Sequence, residues 1–262
     1  MHEHLHYAVE GPLATITLNR PERMNAFTWE MTDAWAEALI AAQADDKVHV
    51  IIVTGAGKAF CSGGDIQNMG QRQERTPLMR KTELAGHVHR IPLALESVDK
   101  PVIAAINGAA TGAGLDLALQ CDLRFAAASA RLGETYVRVG LVPGAGGTWF
   151  LPRLVGTAKA LELFWTGDLI DAAEAERIGM INKALPDDAL MSHVRSVAEK
   201  IARGPQLSVR FIKRAVHQGA RIDLRTSLDL ISSHYAVVSS SADHKEAVAA
   251  YLEKRKPSFT GS

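Results

Sequence analysis

The order of apolar segments in this 262-residue chain predicts an α/β core followed by a helical C-terminal region. Residues 48–54 and 101–106 are almost wholly apolar, as expected for strands that are covered on both faces. Segments with helical spacing of apolar residues precede each of them. From residue 157 onward the pattern is almost entirely helical. We therefore expect an α/β core over residues 1–195 and a helical region over residues 196–262.

Each predicted element has a local signal. Residues 4–9 alternate in polarity, residues 10–12 form a turn and residues 14–18 follow as a second strand, which predicts a hairpin. Thr28 is a favourable N-cap for a helix that continues to about residue 44. A helix is expected over 78–97, with a kink at Pro92. The later predicted elements are a short helix at 115–120, a strand at 122–127, and helices from 148 and at 157–165, 171–178, 188–203, 206–218, 223–238 and 243–254.

Composition excludes several classes of protein. The 29 Lys and Arg residues balance 29 Asp and Glu residues, so the chain lacks the positive excess of a nucleic-acid-binding protein. The two cysteines, Cys61 and Cys121, have no C-x-x-C spacing, and no set of ligands suggests a metal site. The first ten residues do not resemble a targeting leader, and no apolar segment is long enough to cross a membrane. We expect a cytoplasmic protein without a membrane partner.

The glycine-rich segments do not match nucleotide-binding motifs. A dinucleotide site needs G-x-G-x-x-G, but Leu117 stands where the third glycine would follow Gly112 and Gly114. No segment ends in the Gly-Lys-Ser/Thr of a P-loop. Cys61 has no basic partner nearby in the sequence, which favours a packing role over a nucleophilic one. We therefore expect no nicotinamide, nucleotide or metal cofactor.

Two segments place small residues where a buried strand leads toward a helix. They are residues 58–66 and residues 107–116. At such a junction the first backbone N–H groups of the helix have no partner within it. Two N–H groups that point to one spot form an oxyanion hole, which stabilises negative charge on a substrate oxygen. Tight packing of helix on sheet, which also favours glycine and alanine, is the alternative interpretation.

The order of the motifs resembles that of the enoyl-CoA hydratase/isomerase (crotonase) superfamily. The resemblance extends from about residue 5 to residue 256. It is carried by residues 19–26 (NRPERMNA), 60–66 (FCSGGDI), 100–122 (KPVIAAINGAATGAGLDLALQCD) and 140–156 (GLVPGAGGTWFLPRLVG).

This resemblance implies a fold, a ligand and an assembly. The fold would be a spiral of β-β-α units with a C-terminal helical region used in trimerisation, commonly in a dimer of trimers. The ligand would be an acyl-CoA thioester, with Gly64 and Ala113 as the oxyanion hole. The implied CoA- and substrate-binding residues are Met24, Ala26, Ala59, Ser62, Gly63, Gly64, Asp65, Ile66 and Gly112.

The predicted catalytic residues depart from the two glutamates that hydratases of this superfamily use. Asp116 stands at the first of these positions, three residues after Ala113 and on the same side of the helix, so we expect it to act as acid and base. An acid that only complements the helix dipole is the other interpretation of Asp116. Tyr136 stands at the second position and can donate a hydrogen bond. Glu134 would share a face with Tyr136 if this segment were a strand.

Three functions remain open at this point. Hydration of a 2-enoyl-CoA, as in fatty acid metabolism, is the first because it is the commonest activity that the resemblance implies. Isomerisation of an enoyl-CoA double bond is the second, since one carboxylate can move a proton between carbons. The third is an acyl-CoA-binding homologue without turnover.

Overall fold

Two β-sheets surrounded by helices form the part of the chain that this computed structural model describes, residues 3–65 and 75–261. The strands are β1 (Leu5–Glu10), β2 (Leu13–Leu18), β3 (Val50–Gly55), β4 (Ala59–Cys61), β5 (Val102–Ile106), β6 (Ala109–Thr111), β7 (Leu123–Ala127), β8 (Arg131–Gly133), β9 (Ile170–Asp171) and β10 (Lys183–Leu185). The α-helices are α1 (Trp29–Ala44), α2 (Pro77–Glu83), α3 (Arg90–Ser97), α4 (Ala113–Leu119), α5 (Gly147–Val155), α6 (Thr157–Thr166), α7 (Ala172–Arg177), α8 (Leu190–Ala202), α9 (Gln206–Gly219), α10 (Leu224–Ser239) and α11 (Ala242–Leu252).

From β3 to β8 the strands alternate between the two sheets, which confirms the predicted spiral of β-β-α units. The larger sheet has the order β1-β2-β3-β5-β7-β10, and the smaller has the order β4-β6-β8-β9. Strands β3, β5 and β7 each pass to a short strand of the smaller sheet, and a helix follows. Neighbouring strands from β2 to β10 in the larger sheet are parallel, as are β4, β6 and β8.

The predicted hairpin and buried strands are confirmed. Strands β1 and β2 pair antiparallel, and every residue of β5 is buried. Thr28 caps α1, its hydroxyl accepting a hydrogen bond from the Met31 N–H. The short strands β4, β6 and β8 were not predicted, because three residues are too few to show a period in the sequence.

The predicted helix over 78–97 is divided at a different position from the one expected. A π-turn over Leu84–Val88 joins α2 to α3, upstream of Pro92. Pro92 lies in the first turn of α3, where a backbone N–H would have no partner within the helix in any case. The expectation of a kink at Pro92 was therefore wrong.

The C-terminal region is helical, as predicted, but its helices differ in burial. Helix α8 buries Leu190, Val194, Ala198 and Ala202 in the core. Helix α10 buries none of its residues, and α9 buries only Gln206. The predicted boundary after residue 195 falls inside α8, and the division into two parts remains a prediction. No described helix is long and apolar enough to cross a membrane.

Candidate active site

The two predicted strand-to-helix segments lie side by side. They contain β4 and β6, which are parallel neighbours in the smaller sheet. A Cβ atom on Gly114 would lie 2.1 Å from the Cys61 carbonyl oxygen, so only glycine allows α4 to approach β4 this closely. The Thr111 hydroxyl donates to the Ser62 carbonyl at 3.2 Å. Together these contacts hold the two segments against each other.

Two backbone N–H groups of these segments are available to a ligand. Phe27 donates to the Gly63 carbonyl, and Asp65 donates to the Phe27 carbonyl, so the N–H of Gly64 lies outside this pairing. Ala113 is the first residue of α4. Among the described residues, neither the Gly64 nor the Ala113 N–H donates a hydrogen bond to the backbone.

Both of these residues line one cavity of about 470 Å³. Its wall is mostly apolar, and the large apolar side chains on it are Phe27, Trp29, Leu84, Val88, Val139, Leu141 and Val142. Ser62, Gly63, Gly112 and Tyr136 also line it. An elongated ligand with an apolar part and one polar oxygen matches such a cavity.

Asp116 lies behind this cavity and does not face it. Its side chain is fully buried. The Tyr136 hydroxyl donates to Asp116 Oδ2 at 2.6 Å, and the Ala145 N–H donates to the same oxygen at 3.2 Å. Burial raises the pKa of Asp116, and these hydrogen bonds oppose that rise. The group that joins Asp116 to the cavity is therefore the phenol of Tyr136.

Tyr136 reaches this position from a 3₁₀ turn over Thr135–Val139. The segment is not a strand, since β8 ends at Gly133, so the condition under which Glu134 and Tyr136 would share a strand face is not met. Burial, together with the negative charge of Asp116, raises the pKa of Tyr136 well above its ordinary value. The phenol therefore keeps its proton at neutral pH and acts as a donor toward Asp116.

Glu134 is fully buried beside Asp116. Burial, followed by the charge of Asp116, raises its pKa well above the ordinary value. Neither of its oxygens has a hydrogen-bond donor among the described residues. The three predicted acid–base candidates, Asp116, Tyr136 and Glu134, are therefore brought together in one buried cluster.

The residues predicted to bind CoA divide into three groups. Ser62, Gly63, Gly64, Asp65 and Gly112 line the cavity. Met24, Ala26 and Ala59 are not among the lining residues of the cavity; Met24 is half exposed, and the two alanines are buried. Ile66 lies outside the described residues.

Polar contacts tie the loop over residues 20–26 to β4 and to the chain on either side of it. The Asn25 side-chain amide donates to the carbonyls of Ala56 and Ala59, at 2.9 and 2.7 Å. Arg20 forms an ion pair with Asp65 at 3.1 Å. The motif at residues 19–26 thus shapes the site by holding backbone in place.

Sequence reasoning missed several residues of the site. Trp29 and Leu84 line the cavity from α1 and the π-turn. Ala145 donates its N–H to Asp116, and Gly147 leaves space for the Asp116 carboxylate. The glycine-rich sequence at residues 144–147 is the one signal that could have identified Ala145 and Gly147 as part of the site.

The prediction that Cys61 is a packing residue agrees with its surroundings. The thiol is fully buried and contacts the Asn25 carbonyl. Burial raises its pKa to about 12, so it remains a neutral thiol near neutral pH. In residues 3–65 and 75–261, no three His, Cys, Asp or Glu side chains cluster as a metal site requires.

Comparison with known proteins identifies close similarity over the whole chain. Residues 9–262 match the family model described as enoyl-CoA hydratase/isomerase. The 1,2-epoxyphenylacetyl-CoA isomerase of Escherichia coli is 38% identical, with 97% of each chain covered. Crotonyl-CoA hydratase of Syntrophomonas wolfei is also 38% identical, with 95% of each chain covered. The crystal structure of an enoyl-CoA hydratase from Bacillus anthracis superposes with a TM-score of 0.91 at 34% identity, covering 99% of this chain and 100% of that one.

Proposed function

Since the chain belongs to the enoyl-CoA hydratase/isomerase family, we propose that it adds water across the double bond of a 2-enoyl-CoA thioester. The observation that carries this proposal is the convergence of two backbone N–H groups and a phenol–carboxylate pair on one apolar cavity. Relatives named crotonyl-CoA hydratase and short-chain-enoyl-CoA hydratase support the same reaction.

In this proposal the thioester carbonyl oxygen accepts hydrogen bonds from the N–H groups of Gly64 and Ala113. When water attacks Cβ, the electrons of the double bond move toward Cα and negative charge develops on that oxygen. A preorganised donor at such an oxygen contributes roughly 3–4 kcal/mol to transition-state stabilisation. Because glycine contacts hold the two segments together, the donors need no rearrangement when the substrate binds.

The protons move through Tyr136 and Asp116. As the oxygen of water bonds to Cβ, its proton passes to the Tyr136 oxygen, while the phenol proton passes to Asp116. The reverse transfer then delivers a proton to Cα, so that both side chains return to their starting states. Burial raises the pKa of Asp116 above its ordinary value, which makes the carboxylate a stronger base. Asp116 is thus the predicted acid and base, acting through Tyr136.

The remaining parts of the proposal concern the CoA moiety, the assembly and cofactors. The loop at residues 20–26 and the cavity residues Ser62 to Asp65 would hold the CoA moiety. Helices α9 to α11 would form a homotrimer or a dimer of trimers, because they leave large apolar side chains exposed. These include Leu224, Leu228, Tyr235, Tyr251 and Leu252. No cofactor is expected beyond the CoA of the substrate, and the cytoplasmic location stays a prediction.

Isomerisation of the double bond is a second candidate, favoured by one specific observation. The described residues present a single proton relay to the cavity, in place of two separate carboxylates. One relay is sufficient to remove a proton from one carbon and return it to another. The family name covers both reactions, and the Escherichia coli relative is named an isomerase.

A panel of acyl-CoA thioesters, analysed by mass spectrometry, tests these proposals. A product heavier by one water molecule identifies a hydratase, whereas an isomer of unchanged mass and altered retention identifies an isomerase. Saturable binding without any product would refute both and leave the non-catalytic homologue. The reaction should proceed equally in the presence of a chelator, and loss of activity with the chelator would contradict the expectation of no metal.

A further inference from the structure

The buried carboxyl groups of Asp116 and Glu134 interact directly, and three of their oxygens have no hydrogen-bond donor among the described residues. These are Asp116 Oδ1 and both oxygens of Glu134. Both residues are fully buried and out of contact with bulk solvent. Two ionised carboxylates are both acceptors and cannot hydrogen bond to each other. A single proton between them removes this conflict, because one carboxyl group then becomes a donor.

Only one of the two carboxyl groups has the partners that an ionised carboxylate requires. Asp116 Oδ2 accepts from the Tyr136 hydroxyl and from the Ala145 N–H. Glu134 has no such donor among the described residues. Hydrogen bonds to the charged form favour it, so the negative charge belongs on Asp116 and the proton on Glu134.

We propose that Glu134 is a neutral carboxylic acid that donates a hydrogen bond to Asp116 and holds that carboxylate in place as a positioning residue. This inference rests on the proposed function for its effect on turnover, since Glu134 acts on the substrate only through Asp116 and Tyr136. Its side chain does not line the cavity. It therefore does not replace the second catalytic glutamate of the family's hydratases.

The arrangement predicts how activity depends on pH. The ionisable groups that face Glu134 are Asp116 on α4 and Tyr136 on the turn over Thr135–Val139. When alkaline pH removes the Glu134 proton, a second negative charge appears beside Asp116 and the hydrogen bond between them is lost. The value of kcat/KM should then fall, so the pH profile should have an alkaline limb that is caused by ionisation of Glu134.

Glu134→Gln tests the proposal, because an amide retains a donor but cannot ionise. We expect kcat/KM within about threefold of wild type near neutral pH, with the alkaline limb removed. Glu134→Ala removes the donor, so the acid limb should move to higher pH as Asp116 becomes harder to ionise. A loss of about a hundredfold in Glu134→Gln would overturn the proposal, since it would mean that Glu134 itself transfers a proton.

Two measurements need no substrate and therefore separate this proposal from the proposed function. The infrared carbonyl band of a neutral carboxylic acid should appear at neutral pH in wild type and disappear in Glu134→Gln. In addition, Glu134→Gln should become progressively more stable relative to wild type as pH rises above the ordinary glutamate pKa, because the folded wild type must keep a proton that the unfolded chain releases. Glu162→Gln, which removes an exposed carboxyl group on α6, is the matched control and should change neither result.

If the infrared band is unaltered by Glu134→Gln, the proposal fails even if the enzyme hydrates enoyl-CoA. If the band disappears as expected but no acyl-CoA is converted, the proposed function fails while the assignment of the proton stands.

Discussion

Gly147 is the position at which one methyl group should disconnect the proposed proton relay. A Cβ atom there would lie 1.8 Å from Asp116 Oδ1 and 2.7 Å from Asp116 Cγ. The backbone of Gly147 does not have a positive φ, so alanine introduces no backbone strain. The conflict therefore falls on the Asp116 carboxylate, which must move.

The size of this movement follows from the contact. Separations below about 3.0 Å are not tolerated by a real Cβ atom, so Oδ1 must retreat by roughly 1.2 Å. Because the carboxylate is rigid, Oδ2 moves with it, and its 2.6 Å bond to Tyr136 is distorted or lengthens, to about 3.8 Å at most. We expect the unfolding free energy to fall by roughly 1–3 kcal/mol, because the buried Asp116 and Tyr136 side chains lose their hydrogen bond to each other.

Gly147→Ala should lower kcat by about two orders of magnitude, the usual effect of losing a general acid or base. Steady-state kinetics with the best thioester of the panel measure this, and calorimetry with a non-reactive acyl-CoA checks that affinity changes by only a few fold. Gly86→Ala is the matched control, since a Cβ atom at Gly86 would meet nothing within 4 Å. A folded Gly147→Ala variant with wild-type kcat would refute the relay.

Three further predictions concern the relay, the assembly and acid stability. Asp116→Asn and Tyr136→Phe should each lower turnover by about a hundredfold with acyl-CoA affinity nearly unchanged; a much larger effect at Tyr136 than at Asp116 in stopped-flow assays would contradict their linked action. Leu228→Glu should reduce a sedimenting oligomer toward the 28.2 kDa monomer, whereas wild type at 28.2 kDa under micromolar conditions would contradict the assembly. Burial would raise the pKa of Asp122, but His217 and the ammonium group of Lys213 outweigh it and leave the pKa lowered. Asp122→Asn should therefore cost roughly 2–3 kcal/mol in denaturant unfolding at neutral pH, with the difference from wild type narrowing as pH falls below about 4.

Local signals in the sequence predicted those parts of the molecule that depend on neighbouring residues. The apolar strands, the Thr28 cap and the position of Asp116 one helical turn after Ala113 follow from spacing of a few residues. The motif order likewise predicted that Gly64 and Ala113 would meet at one cavity.

Features that depend on distant contacts could not be predicted in the same way. The bond between Tyr136 and Asp116 requires a 3₁₀ turn over Thr135–Val139, for which no signal was found in the sequence. The approach of Gly147 to Asp116 depends on how α5 packs against α4. The π-turn that brings Leu84 to the cavity has no sequence signature that distinguishes it from an ordinary helix.

The parallel pairing of β4 with β6 fixes the distance between the two strands that lead to the proposed oxyanion hole. Neighbouring strands lie about 4.8 Å apart. Two nitrogen atoms that each stand about 2.9 Å from one oxygen, at a tetrahedral angle, are also separated by roughly 4.7 Å. Gly64 and Ala113 follow these adjacent strands within three residues of their ends, so the strand spacing matches the separation that the two proposed donors need. In the proposed site, changes to the helices and loops that line the rest of the cavity can therefore alter which acyl group binds and which product forms. The spacing of the two oxyanion-hole donors would not change.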